Sequence, residues 1–288
     1  MKKLFLLIFL LHILFFSCIA QDVDSYLSPT EYVYKTLDST QLKAYVFSPG
    51  RDDENISVSA VLIFHGGGWS EGTPEWAFSR GRHFVQQGMV AVAVQYRLSD
   101  KESITPIEAM DDAIDAVRWL RTMADEFLID TSKVAVYGWS AGGHLAASTT
   151  IFNNDTNKIS SKPNAVLLVS PALELTNDSW VNQLLIDKAE PNDISPAHHV
   201  KPNLPPTIIV HGRNDSVIPL RGVELFTQRM IDAGNVCQLY VYDGVGHMFT
   251  PSTKSDKGWP NPDQKIKEEA YNEIDNFLRE LGFGNKPY

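Results

Sequence analysis

The chain has 288 residues, of which 43% are hydrophobic and 21% are charged, and its formal net charge at pH 7 is −10. This composition excludes a disordered chain and leaves room for one large α/β domain or two small ones, each with a sizeable core. The negative charge, together with the absence of any run of Lys or Arg, argues against nucleic acid or an anionic lipid surface as a partner.

The first segment has the pattern of an export signal. Two lysines precede an apolar run at residues 4–16, which is shorter than the roughly 20 residues that a spanning helix needs. We therefore expect residues 1–20 to be a signal peptide and the mature protein to be periplasmic or secreted. Phe15-Phe16-Ser17-Cys18 resembles a lipobox, so the alternative is cleavage before Cys18 and an outer-membrane lipoprotein. A lipid on Cys18 is the only membrane contact that we expect.

From residue 25 onward the pattern predicts one domain, residues 25–288, in which strands and helices alternate. The predicted strands are 31–37, 42–47, 58–64, 90–94, 134–137, 165–169, 207–210 and 239–242, and the predicted helices are 106–127, 141–152, 221–233 and 264–281. The first two strands are predicted to form a hairpin. Because the central strands are apolar on both faces, we expect an α/β fold with a mostly parallel eight-stranded sheet covered by helices on both faces. Ligands of such sheets bind at the carboxyl ends of the strands.

Three acids on the predicted helix 106–127, Asp111, Asp112 and Asp115, invite comparison with a metal site. No histidine or further acid stands at ligand spacing from them. We therefore predict a solvated helix face and no metal site.

The segment Gly138-Trp139-Ser140-Ala141-Gly142 follows a predicted strand and opens a predicted helix. It fits the G-x-S-x-G pattern, in which a serine sits on a sharp strand-to-helix turn with its hydroxyl held out of the sheet. Glycines two residues on either side let the strand and the helix approach closely. The pattern predicts Ser140 as a nucleophile.

A serine hydroxyl needs a base, and the base needs an orienting acid. Among the histidines, His247 stands in the glycine loop Gly244–His247 just beyond the last predicted strand, where an imidazole can reach Ser140. The loop after the preceding strand supplies Asp215 as the acid, with Asp243 as the alternative. The chain order Ser140, Asp215, His247 is typical of α/β-hydrolases.

Hydrolysis of an acyl group also needs N–H donors for the oxyanion. His65-Gly66-Gly67-Gly68-Trp69 ends the third strand with three glycines, whose N–H groups can turn toward a cavity. We expect donors from Gly67, Gly68 and Ala141, with Gly66 as an alternate, and a bracing role for His65. A phosphate cradle is disfavoured because no GK[ST] follows and no dinucleotide-binding fingerprint fits.

These motifs resemble the α/β-hydrolase superfamily and, within it, the HGGG-type esterases related to hormone-sensitive lipase and the bacterial feruloyl and acetylxylan esterases. The matching motifs are HGGGW, VQYRLS, GWSAGGHLAA, HGRNDSVIP and GVGHMF, spread over residues 55–280. The resemblance implies the α/β-hydrolase fold and a serine hydrolase without metal or organic cofactor. The sequence departs from relatives of hormone-sensitive lipase in two ways. Trp139 stands where they usually carry Asp, and there is no room for their N-terminal cap, so we expect no large cap domain.

The motifs and the resemblance together predict an exported serine carboxylesterase that acts on short acyl esters through an acyl-enzyme on Ser140. The expected substrate is a small or glycan-linked ester, such as acetyl or feruloyl groups on plant polysaccharide. Trp69, Trp139 and Phe249 are expected to line the acyl pocket or stack on a sugar ring, with packing in the core as the alternative for one or more of them. The alternatives are an amide hydrolase on the same triad, either a small peptidase or an arylformamidase-like enzyme, and a non-catalytic binder with this fold.

Overall fold

A computed structural model describes residues 28–38, 40–50, 56–100, 102–153, 159–256 and 258–284. The predicted signal peptide and the lipobox cysteine lie outside the described residues. Within these ranges, none of the helices combines the length and the apolar character that crossing a bilayer requires.

Eight strands form a single sheet. They are β1 Thr30–Leu37, β2 Thr40–Phe47, β3 Val58–Phe64, β4 Val90–Val94, β5 Ile129–Trp139, β6 Ala165–Val169, β7 Thr207–Gly212 and β8 Cys237–Tyr242. Their spatial order is β1-β2-β4-β3-β5-β6-β7-β8. The pairs β1–β2 and β2–β4 are antiparallel, and every pair from β4 through β8 is parallel. This arrangement confirms the predicted mostly parallel eight-stranded sheet.

Seven α-helices are described. They are α1 Phe78–Gln86, α2 Pro106–Thr122, α3 Ala124–Phe127, α4 Ala141–Ile151, α5 Ser179–Leu185, α6 Leu220–Asp232 and α7 Gln264–Glu280. Helices α2 to α6 contribute to the core on one face of the sheet, and α1 and α7 contribute to the core on the other. Alternate residues of the central strands belong to opposite cores: Leu62 and Val136 to the first, Val61 and Tyr137 to the second. The period of two in a strand produces this division.

The helix predicted for 106–127 is two helices, because Met123 departs from the helical conformation (φ −93°, ψ 8°); Leu128, with φ 51°, ends the second of them. The first of them, α2, begins at a capping box: Thr105 Oγ1 accepts from the N–H of Ile107 (3.2 Å), and Glu108 Oε2 accepts from the N–H of Thr105 (2.7 Å). Helix α1 was absent from the sequence prediction. Its segment FSRGRHFVQ carries a glycine and two arginines, and only the tertiary structure buries Arg80 and Gly81.

The prediction of a solvated acidic face on α2 is wrong for Asp112, whose side chain is fully buried. Its carboxylate pairs with Lys35 on β1 (2.7 Å) and accepts two hydrogen bonds from the Arg97 guanidinium, each of 2.8 Å. Asp111 is exposed and Asp115 half-buried. A buried carboxylate requires such partners, and here one comes from a strand 77 positions away and the other from the loop after β4.

Candidate active site

Ser140 stands on the turn between β5 and α4 with φ 53° and ψ −122°. This positive φ is sparsely populated for a residue with a side chain and costs on the order of 1–3 kcal/mol. Neighbouring backbone holds the turn: the N–H of Ser140 donates to the carbonyl of Val169 at the end of β6 (3.1 Å), and the Ser140 carbonyl accepts from the N–H of Ala172 (3.3 Å). The strained conformation is therefore held by backbone hydrogen bonds at the carboxyl ends of the central strands.

The glycines beside Ser140 are required by close approach of the backbone. A Cβ on Gly142 would overlap the carbonyl oxygens of Phe64 and His65 at the end of β3, and one on Gly138 would overlap the carbonyl of Gly142. Any side chain at either position would push α4 away from the sheet. The N-terminus of α4 is consequently packed directly against the start of the glycine loop 66–68.

The structure brings together the three residues that the sequence singled out as nucleophile, base and acid. His247 Nε2 lies 3.1 Å from Ser140 Oγ, and His247 Nδ1 lies 2.8 Å from Asp215 Oδ2. The Asp215 side chain is fully buried and that of His247 is 10% exposed. Because an ionised carboxylate only accepts hydrogen bonds, Nδ1 carries the proton and Nε2 is left free to accept one from Ser140. The alternative acid, Asp243, is instead exposed and paired with Arg213.

The loop after β7 presents the Asp215 carboxylate in a fixed direction. Asp215 Oδ1 accepts hydrogen bonds from the N–H groups of Val217 (3.0 Å) and Ile218 (2.7 Å), which leaves Oδ2 for His247. His211 Nε2 lies 3.7 Å from Oδ2 and donates to the carbonyl of Ile218 (3.0 Å). Burial lowers the pKa of His211, so this second histidine stays neutral beside the carboxylate.

The loop of His247 is held against β7 and β6. A Cβ on Gly212 would overlap the carbonyl of Gly246, so the end of β7 supports the residue before the histidine. The N–H of Met248 donates to Ser170 Oγ (3.2 Å), at the end of β6. Met248 and Phe249 both have positive φ, 51° and 64°. This tight turn directs the imidazole toward Ser140.

His65 has the contacts of a brace for the glycine loop. Its Nδ1–H donates to the carbonyl of Gly66 (2.6 Å), and its ring stacks on Tyr96 with centroids 4.4 Å apart. The Tyr96 hydroxyl donates to the His65 carbonyl (2.8 Å). Burial lowers the pKa of His65 to about 4, so the ring is neutral at neutral pH. Tyr96 belongs to the VQYRLS motif, so this motif helps to hold the glycine loop in place through His65.

Phe249 does not line an open pocket: it is fully buried and packs edge-on against Tyr242 and Tyr271. This corrects the expectation that it walls the acyl pocket, since only tertiary packing turns it away from the site. Trp69, predicted for the same pocket, is 3% exposed and lies in the core. Its indole N–H donates to His144 Nδ1 (3.2 Å). Trp69 therefore packs in the core although it directly follows the glycine loop.

Other tryptophans surround the glycine loop. The half-buried Trp139 ring leaves no room for a side chain at Gly66, and the Trp180 indole N–H donates to the Gly68 carbonyl (3.1 Å). Trp76 contacts the His65 ring edge-on at 5.8 Å and the Trp259 ring at 4.6 Å. Trp76 and Trp180 are each 37% exposed and Trp259 is 74% exposed. Trp76 was missed from sequence, because no motif contains it.

The arrangement can move a proton from a strained serine hydroxyl to an imidazole that a buried carboxylate orients, beside a glycine loop and a helix N-terminus. This is the geometry of nucleophilic acyl transfer. In the part of the chain that is described, no group of three or more His, Cys, Asp or Glu residues is arranged to hold a metal ion.

Two family models match the sequence: BD-FAE over residues 46–230 and the dienelactone hydrolase family over residues 189–282. The chain is similar to a thermophilic esterase of the planctomycete Thermogutta terrifontis, whose structure was solved with propionate bound. The TM-score is 0.79 and the identity 33%, over 92% of this chain and 98% of that one.

Curated relatives include the ethyl acetate hydrolase of Pseudomonas putida, 28% identical over 239 residues, which cover 74% of this chain and 73% of that protein. The acetylxylan esterase of Xylanibacter ruminicola is 28% identical over 210 residues, 68% of this chain and 42% of that protein. The chain spans only 36%, 55% and 47% of the lengths of three further relatives. Matches to such longer proteins cover one part of each.

Proposed function

Because the chain belongs to the BD-FAE family of α/β-hydrolase esterases, we propose that it hydrolyses carboxylic esters with Ser140 as the nucleophile. The observation that carries the proposal is the continuous relay from Ser140 Oγ through His247 to Asp215, with links of 3.1 and 2.8 Å. Both distances lie within the hydrogen-bonding range that proton transfer between a nucleophile and its base requires.

In the proposed reaction Ser140 Oγ attacks the ester carbonyl carbon while its proton passes to His247 Nε2. Asp215 stabilises the imidazolium that results. The imidazolium then returns the proton to the departing alcohol oxygen as the carbon–oxygen bond breaks, which leaves an acyl group on Ser140. Water repeats the sequence with His247 as base, releases the carboxylic acid and restores the serine.

The oxyanion is proposed to bind the N–H groups of Gly67, Gly68 and Ala141, with Gly66 as the alternate. Support comes from the conformations of Gly67 and Gly68, whose φ values are 122° and 56°, and from the close packing of the loop on the first turn of α4. Ala141 is the first residue of that helix, so its N–H has no partner within the helix. The helix dipole adds to the stabilisation of negative charge there.

The proposed substrate is a short acyl ester, such as acetate or ferulate, carried on a polysaccharide. Trp180 bonds to the glycine loop, Trp76 contacts His65 beside it, and Trp259 packs on Trp76. All three indoles are partly or largely exposed and offer aromatic surface to a ring-shaped alcohol. Such surfaces suit an uncharged sugar better than an anion, in keeping with the net charge of −10. The name of the acetylxylan esterase relative agrees with this substrate class.

The reaction is tested with p-nitrophenyl acetate and a fluorophosphonate probe on purified protein and on Ser140→Ala. We expect the substitution to abolish both hydrolysis and labelling. Undiminished hydrolysis by Ser140→Ala would refute the role of the serine. A wild-type protein that the probe does not label would favour a non-catalytic binder.

The substrate class is tested with a panel of acetylated xylan, feruloyl arabinose esters, N-formylkynurenine and dipeptide anilides. The proposal requires the highest kcat/KM on the acylated carbohydrates. A preference for the formamide or the anilides would replace it with amide hydrolysis on the same three residues.

We also propose that the protein is exported, on the pattern of residues 1–20 alone. Mass spectrometry of the N-terminus after expression with its leader tests this. A new N-terminus at Gln21 indicates a soluble exported form, and a lipidated Cys18 indicates an anchored one. An intact leader on protein confined to the cytoplasm would contradict export.

A further inference from the structure

The carboxylate of Asp256, in the loop between the turn His247–Phe249 and α7, contacts the loop that carries Asp215. Its Oδ2 accepts hydrogen bonds from the N–H of Ser216 (2.9 Å) and from Ser216 Oγ (3.0 Å). The next two N–H groups of that loop already donate to Asp215 itself. Three consecutive N–H groups, at residues 216–218, are therefore paired with carboxylates, and Asp256 supplies the one acceptor that Asp215 does not.

The same carboxylate lies on the loop that carries His247. A Cβ on Gly246 would collide with both carboxylate oxygens of Asp256, and the Gly246 carbonyl in turn leaves no room for a Cβ on Gly212. Gly246 is thus enclosed between the end of β7 and the Asp256 carboxylate. The carboxylate therefore lies directly against the residue that precedes the histidine.

One oxygen of this carboxylate, Oδ1, is buried and has no hydrogen-bond partner among the residues that the structure describes. A buried charged oxygen without a donor costs free energy. An under-satisfied buried group calls for a functional explanation. The position of Asp256 between the two loops provides one.

We propose that Asp256 is a positioning residue, which ties the Asp215 loop to the His247 loop and so keeps the imidazole in line with Ser140 Oγ. The inference rests on the proposed function, since it assigns Asp256 to the same relay. It acts through Ser216 and Gly246 and does not require contact with the substrate. Loss of the tie would let the imidazole drift, and a misplacement of about 1 Å costs on the order of a hundredfold in rate.

The experiment compares Asp256→Ala and Asp256→Asn with Asp263→Ala as a matched control from the same loop. Asp263 caps α7 by accepting from the N–H of Ile266 (3.1 Å), and its own N–H donates to the Phe249 carbonyl (2.9 Å) in the His247 turn, a backbone bond that Asp263→Ala retains. The readouts are kcat and KM for p-nitrophenyl acetate, the rate of inactivation by a fluorophosphonate, and the urea midpoint.

We expect Asp256→Ala to lower kcat and the inactivation rate by about ten- to a hundredfold with KM changed less than about twofold. Asp256→Asn keeps an oxygen that can accept both bonds from Ser216, so it should stay within about threefold of wild type. Asp263→Ala should lower the urea midpoint and leave kcat unchanged. Ser216→Ala, which removes the Oγ bond and retains the N–H, should lower kcat by a few-fold and gives a measurement if Asp256→Ala does not fold.

Wild-type kcat in both Asp256→Ala and Ser216→Ala would overturn the positioning role, provided that Ser140→Ala is inactive. An equal loss in Asp256→Asn and Asp256→Ala would also overturn it, because the amide preserves the hydrogen bonds. If Ser140→Ala retains activity, the proposed function itself fails, and that outcome is distinguishable from either of the others.

Discussion

Replacing Asp215 by Asn tests the orientation of His247 without removing the bonds that shape the loop. Asp215 Oδ1 accepts from the N–H groups of Val217 and Ile218, and Oδ2 accepts from His247 Nδ1. An Asn amide oxygen takes the first position, because two donors face it there. The amide NH₂ then faces Nδ1, and a donor at that place drives the imidazole proton to Nε2. A protonated Nε2 cannot accept from Ser140 Oγ.

The size of the effect follows from these contacts. The wrong tautomer should lower kcat by about 10³- to 10⁴-fold, as the same change does in Ser-His-Asp proteases. The free energy of unfolding should change by less than about 1 kcal/mol, because both backbone hydrogen bonds survive. Asp215→Ala loses all three bonds, at about 0.5–1.5 kcal/mol each, and should destabilise the protein by about 2–4 kcal/mol. The pair of variants therefore separates tautomer control from loop support.

The assay is steady-state hydrolysis of p-nitrophenyl acetate from pH 5 to pH 10, with urea unfolding of each variant in parallel. Asp215→Asn is expected to fold like the wild type and to be nearly inactive throughout the range of pH 6–8. A kcat within tenfold of the wild-type value at pH 7.5 would refute the assignment of Asp215. Activity lost in Asp243→Asn and retained in Asp215→Asn would transfer the role to the alternative acid.

Three further outcomes follow. Burial lowers the pKa of His144 to about 4, so the unfolded chain binds its proton first and stability is lost as the pH falls from about 6.5 to 4, by at most about 3 kcal/mol. The amide in His144→Gln has an acceptor for the Trp69 indole N–H and a donor for the Ile194 carbonyl, so urea unfolding of this variant should show a smaller loss over that range. Asp112→Ala leaves Lys35 and Arg97 without their buried partner and should lower the free energy of unfolding by about 3–5 kcal/mol. A decrease of less than about 1 kcal/mol in urea unfolding would contradict the importance of this pairing. Trp259→Ala should lower kcat/KM on acetylated xylan by about three- to tenfold and leave the hydrolysis of p-nitrophenyl acetate unchanged. An equal loss of activity on both substrates would argue against contact between this indole and the sugar.

Much of the candidate site was predictable because its signals are local. Gly138, Ser140 and Gly142 form a sharp turn whose steric requirements span only five residues. Such a pattern can be recognised in the sequence without knowledge of any tertiary contact. The order of the motifs along the chain then predicted which loops meet at one edge of the sheet. The boundaries of the elements were less predictable, as the break of the 106–127 helix at Met123 demonstrates.

The aromatic residues show where prediction from the sequence ended. Phe249 follows His247 by two positions and was expected in the pocket, yet two successive positive-φ residues turn it into the core. Trp76 has no motif, yet it reaches the site by contacting His65. A side chain's direction in a loop depends on backbone angles and neighbours that composition does not reveal.

The sequence by itself determined the alternation of strands and helices and the strained turn at Ser140, because periodicity and the steric demands of glycine act over a few residues. Of the two candidate acids, only the structure pairs Asp215 with His247 and leaves Asp243 exposed with Arg213. The tertiary structure alone decided which acids are buried and what they hold. Asp112 meets Lys35 across 77 positions and Asp256 meets Ser216 across 40. Such pairs form because folding packs together chain segments that are distant in sequence. A charge buried between them is costly unless it has a partner, and the fold determines which residue that partner is.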